Sequence, residues 1–152
     1  FGYTNDPSAF IALLVDSSNR VIYVFDEFYG YGYSNRDLQE YISRLGYGKE
    51  RIFADSSEPK SIDELYELGL QGIRKARKGP DSIRHGIQFI QGHKIVVLPH
   101  CKNFIREISG YAWAVNAVGN PTNTPQGGSD HLMDAMRYAL TDFTGARGWR
   151  FD

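Results

Sequence analysis

Ala9-Phe10-Ile11-Ala12-Leu13-Leu14-Val15, then Asp16-Ser17-Ser18-Asn19-Arg20, then Val21 to Phe28: this stretch decides the fold. The first run is apolar throughout, which predicts a buried strand. The polar cluster after it reads as a turn, and the second run is rich in β-branched and aromatic residues, as strands are. Two strands joined this way predict an antiparallel hairpin.

The chain before and after the hairpin has a different rhythm. Phe1 to Asp6 is turn-like, and Tyr29-Gly30-Tyr31-Gly32-Tyr33 reads as an aromatic, Gly-rich loop. Ser34 is expected to N-cap a helix running to about Leu45, with Leu38, Tyr41, Ile42 and Leu45 on its apolar face. Arg51 to Ala54 predicts a short central strand that ends at Asp55, and a helix follows from about Ser61 to Leu68. Gly72 to Lys78 carries the densest positive charge. Pro80-Asp81 opens another helix, with Ile83, Ile87, Phe89 and Ile90 apolar, and Lys94 to Leu98 predicts a strand. Asn103 to Ser109 predicts a short helix, Tyr111 to Val115 a last strand, and Gly119 to Gly128 a loop. A hairpin followed by alternating strands and helices predicts an α/β fold, a mixed central sheet flanked by helices.

The closing helix is Ser129-Asp130-His131-Leu132-Met133-Asp134-Ala135-Met136-Arg137-Tyr138-Ala139-Leu140. Ser129 is its expected N-cap, and Met133, Met136, Leu140 and Phe143 make its apolar stripe. His131 and Asp134 project from one side. Such a pair on a helix is commonly a solvated surface pair. Phe53-Ala54-Asp55-Ser56-Ser57-Glu58-Pro59 changes the weighing, because it puts a second carboxylate at a strand end, where α/β sites collect.

The 152 residues predict a single domain, 1–152, with a proper core. A hydrophobic fraction of 41% marks it as globular, and a net charge of −1 means that any nucleic-acid binding must use a local patch. A single cysteine, Cys101, excludes an internal disulfide and fits a reducing compartment. No apolar run is long enough to cross a membrane, and no phosphate-loop motif is present. The chain begins with Phe, which predicts a piece of a longer or processed protein.

Four segments carry a resemblance. They are Phe1-Gly2-Tyr3-Thr4-Asn5-Asp6-Pro7, Ala54-Asp55-Ser56-Ser57-Glu58-Pro59-Lys60-Ser61-Ile62, Lys78-Gly79-Pro80-Asp81-Ser82-Ile83, and Asp130 to Leu140. In this order and spacing the chain resembles the C-terminal nuclease domain of the large terminase subunit of tailed bacteriophages. The resemblance implies a ribonuclease-H-like fold and a metal-dependent endonuclease that cuts concatemeric viral double-stranded DNA. It implies Mg²⁺ or Mn²⁺, two ions in all, on Asp55, Asp134, Asp6 and His131, with Asp55, Asp134 and His131 catalytic. It further implies an ATPase domain upstream, a portal and a small terminase subunit as partners, and action in the host cell cytoplasm at the prohead. The family places an aspartate immediately before the Phe-Gly-Tyr; the sequence begins at that Phe, so impaired cleavage by this polypeptide is an expectation.

The chemistry suits these residue types. Two divalent ions about 3.5–4 Å apart can activate the attacking water and stabilise the leaving oxygen. Aspartates are the hard oxygen ligands such ions take. His131 suits Mn²⁺, or a proton-transfer or water-orienting role. Glu58 and Asp130 are alternates. Arg74, Lys75, Arg77, Lys78 and Arg84 are the expected DNA-phosphate patch, against the reading of a solvated face. Tyr29, Tyr31 and Tyr33 are candidates for stacking, while His85, His93, His100 and Cys101 read as structural. Alternatives are a junction resolvase, or a non-catalytic DNA-binding or docking module.

Overall fold

In the first strand, β1 (Ser8–Asp16), alternate residues enter two different cores. Phe10 and Ala12 join one buried cluster with Leu38, Ile42, Ile62, Leu65, Leu70 and Ile73. Ile11 joins the other, with Ile22, Val24, Phe104, Leu132 and Met136. The period-two geometry of a strand forces this split, so the continuous apolar run means burial on both faces. The computed structural model describes residues 6–79, 81–118 and 130–144, with side chains only to 111 in the second segment.

β1 pairs antiparallel with β2 (Val21–Gly30), with a register shift at Ala12/Leu13. β2 pairs parallel with β5 (Lys94–Val97), giving a mixed three-stranded sheet in the order β1-β2-β5. β3 (Ile52–Ala54) and β4 (Ile73–Lys75) form a separate parallel pair. The hairpin and the mixed sheet are therefore as expected. β3 differs from its expected central place, because among the described residues it pairs with β4 alone.

Helix α1 (Asn35–Arg44) starts at a capping box: Ser34 Oγ accepts from Asp37 N–H, and the Asp37 carboxylate accepts from Ser34 N–H. It ends at Leu45, as its sequence predicts. α1 and α2 (Pro59–Glu67) supply the cluster around Leu38 and Leu65. α3 (Ser82–Gln91), α4 (Lys102–Val118) and α5 (His131–Ala139) pack on the opposite side, and the short α6 (Thr141–Thr144) follows.

Three expectations are corrected. Tyr111 to Val115 is not a strand; α4 runs straight through it. Phe104, Ile108 and Tyr111 all pack into one core, and their spacing of four and three is a helical stripe that continues past Gly110. One glycine costs a helix only about 1 kcal/mol, too little to stop it. The Tyr29–Tyr33 loop is also shorter than expected, since Tyr29 and Gly30 pair with Ala9 and Ser8 as strand. Phe143 leaves the closing helix's stripe: it belongs to α6 and lies against Phe89 instead. Phe1 to Asn5, Pro80, the Gly119–Gly128 loop and Ser129 lie outside the described residues. The N-cap position of α5 is Asp130, with no side-chain capping bond.

Candidate active site

Parallel pairing of β3 with β4 puts the ends of both strands at one edge. Ala54 stands opposite Lys75, and Ala76 N–H donates to Ala54 O at 2.8 Å. Asp55 leaves one strand and Arg77-Lys78 the other, side by side. The carboxyl ends of parallel strands are where crevices open in such folds. A cleft of 470 Å³ lies between β1 and β3, and α5 borders it. Asp55, His131, Asp134 and Tyr138 all line this cleft, although Asp55 is far from the others in sequence.

Asp55 is half-buried, and its recorded partners converge on one oxygen. Ser57 N–H (3.0 Å), Ser57 Oγ–H (2.8 Å) and Lys78 Nζ (2.6 Å) all meet Oδ1. Burial pushes the Asp55 carboxyl up, but the Lys78 ammonium and the Ser57 donors outweigh it and hold the group below the usual carboxylate range.

Asp134 sits in the first turn of α5 and is held by an ion pair to Arg137 on the same helix. Burial pushes this carboxyl above the ordinary range; Arg137 offsets only part, and the neighbouring Asp130 charge adds to the rise. The Arg137 side chain is 10% exposed. Its stem passes over Gly86 of α3, where a Cβ would stand 2.9 Å from Arg137 Cδ. A glycine in mid-helix is explained by that close approach. Tyr138, one turn beyond Asp134, joins the two walls: burial raises its hydroxyl, and both Asp55 and Asp134 add to the effect.

The helix that carries Asp134 is fixed from outside. The Glu107 carboxylate of α4 accepts the backbone N–H groups of Leu132 (2.9 Å) and Met133 (3.0 Å). These are free donors of the first turn of α5, which Asp130 leaves uncapped. Burial pushes Glu107 up to about 7 despite those bonds. His131 opens the helix, with its ring centroid 6.5 Å from that of Tyr29, which in turn meets Tyr31 at 6.3 Å.

The other expected residues scatter. Asp6 is exposed, and it is its neighbour Pro7 that lines the cleft. Glu58 is exposed at the N-cap of α2, where its N–H donates to Asp55 O, a helix-entry role. The basic stretch divides: Arg74, Lys75 and Arg77 are exposed and in no ion pair among the described residues, Arg84 is paired with Asp81 at 3.0 Å, and Lys78 is drawn to Asp55. His93 donates to Phe89 O and His100 to Phe25 O, and Cys101 is fully buried, as structural residues are. Sequence reasoning missed Glu107, Arg137 and the place of Lys78. Glu107 and Arg137 are ordinary helix charges in the sequence, and no spacing rule links Lys78 to Asp55.

Among the described residues, no three His, Cys, Asp or Glu side chains converge on a ready-made metal cage. The cleft is lined by the carboxylates of Glu50, Asp55 and Asp134 and by the imidazole of His131. That set fits a hard divalent ion held in the manner of Mg²⁺, by one or two carboxylates together with water and phosphate oxygens. No helix among the described residues is long and apolar enough to cross a membrane.

Comparison with known proteins agrees with the fold. The chain is 34% identical over 143 residues to the large terminase subunit of Bacillus phage SPP1, covering 92% of this chain and 34% of that protein. It is 28% identical over 144 residues to the PBSX phage terminase large subunit of Bacillus subtilis (strain 168), covering 94% of this chain and 33% of that protein. The chain thus spans about a third of the length of these curated relatives. Its fold is similar to the crystal structure of the g2p (large terminase) nuclease domain from bacteriophage SPP1 with bound Mn. The TM-score is 0.81 at 36% identity, over 92% of this chain and 81% of that one. The family model described as the terminase RNase H-like domain matches residues 1–142, and the chain belongs to that family.

Proposed function

We propose that this chain is a divalent-metal-dependent endonuclease module that cuts concatemeric viral double-stranded DNA during genome packaging. One observation carries the reading: Asp55 and Asp134, from a strand end and a helix start, line one cleft together with His131. Asp55 and Asp134 would hold Mg²⁺ or Mn²⁺, two ions in all, with Asp6 near the second. A bound ion of this kind supplies Lewis acidity at the phosphoryl oxygen and lowers the pKa of a coordinated water. Asp55, kept anionic by Lys78 and Ser57, presents a ready charge. His131 accepts or orients a proton of the attacking water. Arg137 fixes the Asp134 carboxylate, and Glu107 fixes the helix turn beneath it.

The module would act in the host cell cytoplasm within a longer polypeptide that has an ATPase domain upstream, beside a portal and a small terminase subunit. Plasmid cleavage with Mn²⁺ tests the reading. Cutting by the intact longer protein without sequence or junction preference, lost in Asp55→Asn and Asp134→Asn, is the expected result. Selective cutting of four-way junctions would instead indicate a resolvase, and binding without cutting a docking module.

A further inference from the structure

We propose that Lys78 is a resident counter-cation of the carboxylate site: a divalent ion competes with it for Asp55, and a DNA phosphate draws it away, so that metal and DNA bind cooperatively. This rests on the metal-site reading above. Lys78 leaves the basic run that precedes it and places Nζ 2.6 Å from Asp55 Oδ1. Its other side lies over the Tyr138 ring, 5.6 Å from the centroid, and Tyr138 stands one turn from Asp134 on α5. The ammonium therefore lies between the two walls that carry the candidate ligands. Arg74, Lys75 and Arg77 are in no ion pair among the described residues, so the contact is particular to Lys78.

The electrostatics set the direction. A positive charge at hydrogen-bond distance from a carboxylate opposes a second cation on the same group. The side chain is 42% exposed, on a flexible stem with three rotatable donors, so it can swing to a new anion without backbone movement. A phosphate supplies that anion, and also an oxygen ligand for the ion. Each partner thereby makes room for the other, which defines positive coupling, and coupling is reciprocal.

The test titrates Mn²⁺ calorimetrically into the wild-type chain and into Lys78→Met, Lys78→Arg and Asp55→Asn variants. Duplex DNA affinity is then read by anisotropy with and without Ca²⁺, another oxygen-ligated ion. Lys78→Met is expected to bind Mn²⁺ more tightly, by about 5-fold or more, the lower end of typical coupling factors. Its DNA affinity should lose most of its dependence on the ion, and Lys78→Arg should retain wild-type coupling. Unchanged or weaker Mn²⁺ binding by Lys78→Met overturns the proposal and leaves Lys78 a brace for Asp55. If Asp55→Asn binds Mn²⁺ as wild type does, the metal-site reading itself fails, and this inference with it.

Discussion

The two walls of the cleft hold their carboxylates in opposite ways. Asp55 stands at a strand end, half-exposed, with donors on one oxygen that keep it below the usual range. Asp134 stands on a packed helix, and burial raises it in spite of Arg137. One side is a ready anion made by local turn chemistry and one lysine. The other is a charge carried on a buried helix, dependent on tertiary partners in α3 and α4. Environments that push two acids apart assign them different work. On the proposed reading Asp55 would be the readier anionic ligand, and Asp134 would depend on its cation partners for its charge.

The largest expected effect tests whether both walls belong to one site. Asp55→Asn and Asp134→Asn should each reduce Mn²⁺-dependent cleavage by more than the roughly 10–100-fold that losing an outer partner of a metal ligand costs. Both should unfold cooperatively, like wild type. Wild-type cleavage by either variant would remove that wall from the site.

Next comes stability, where the walls should differ. Arg137→Ala leaves the Asp134 carboxylate without its partner in a mostly buried setting. Full burial would cost ~3–5 kcal/mol; with the Asp134 side chain 32% exposed, about 2 kcal/mol is expected. Lys78→Ala breaks a more exposed pair and should cost under about 1 kcal/mol. Denaturant midpoints compare the two, and equal losses would erase the contrast.

A smaller effect concerns pH. Glu107 is raised to about 7 in the fold from an ordinary value of 4.5. Its favourable contribution is therefore fully present below 4.5 and is lost as pH rises through about 7. Glu107→Gln keeps an oxygen acceptor for Leu132 and Met133 but cannot ionise. Its stability should fall less than that of wild type between pH 5 and pH 8, by urea denaturation at each pH. Parallel profiles would mean that Glu107 is solvated like any surface acid.

The smallest effect lies outside the walls. Arg74→Ala and Lys75→Ala should weaken duplex binding equally across sequences, and each lost phosphate contact should flatten the log-affinity versus log-salt slope by about 0.9. An unchanged slope would return those side chains to a solvated face.

The sequence by itself determined whatever is encoded within one structural period. The apolar run Ala9 to Val15 predicts a buried strand, and its residues enter two core clusters, with Leu14 alone exposed. Ser34 predicts a helix start and the helix begins there, because a cap is closed by near neighbours, here Asp37. Met133, Met136 and Leu140 predict the inner face of the closing helix, and all three are buried, whereas Phe143 is not. The motifs around Asp55 and Asp134 pointed to the family. Tertiary structure decided the rest. Tyr111 to Val115 has strand composition, yet α4 continues through it, because Phe104, Ile108 and Tyr111 share one core-facing stripe. Lys78 looks like any member of a basic run until parallel pairing of β3 and β4 sets it against Asp55. Glu107 is one helix acid among several until α5 packs beside it and offers two free N–H groups. A charge carries the same letter whether water or a buried partner satisfies it, and only the packing of distant segments chooses between them.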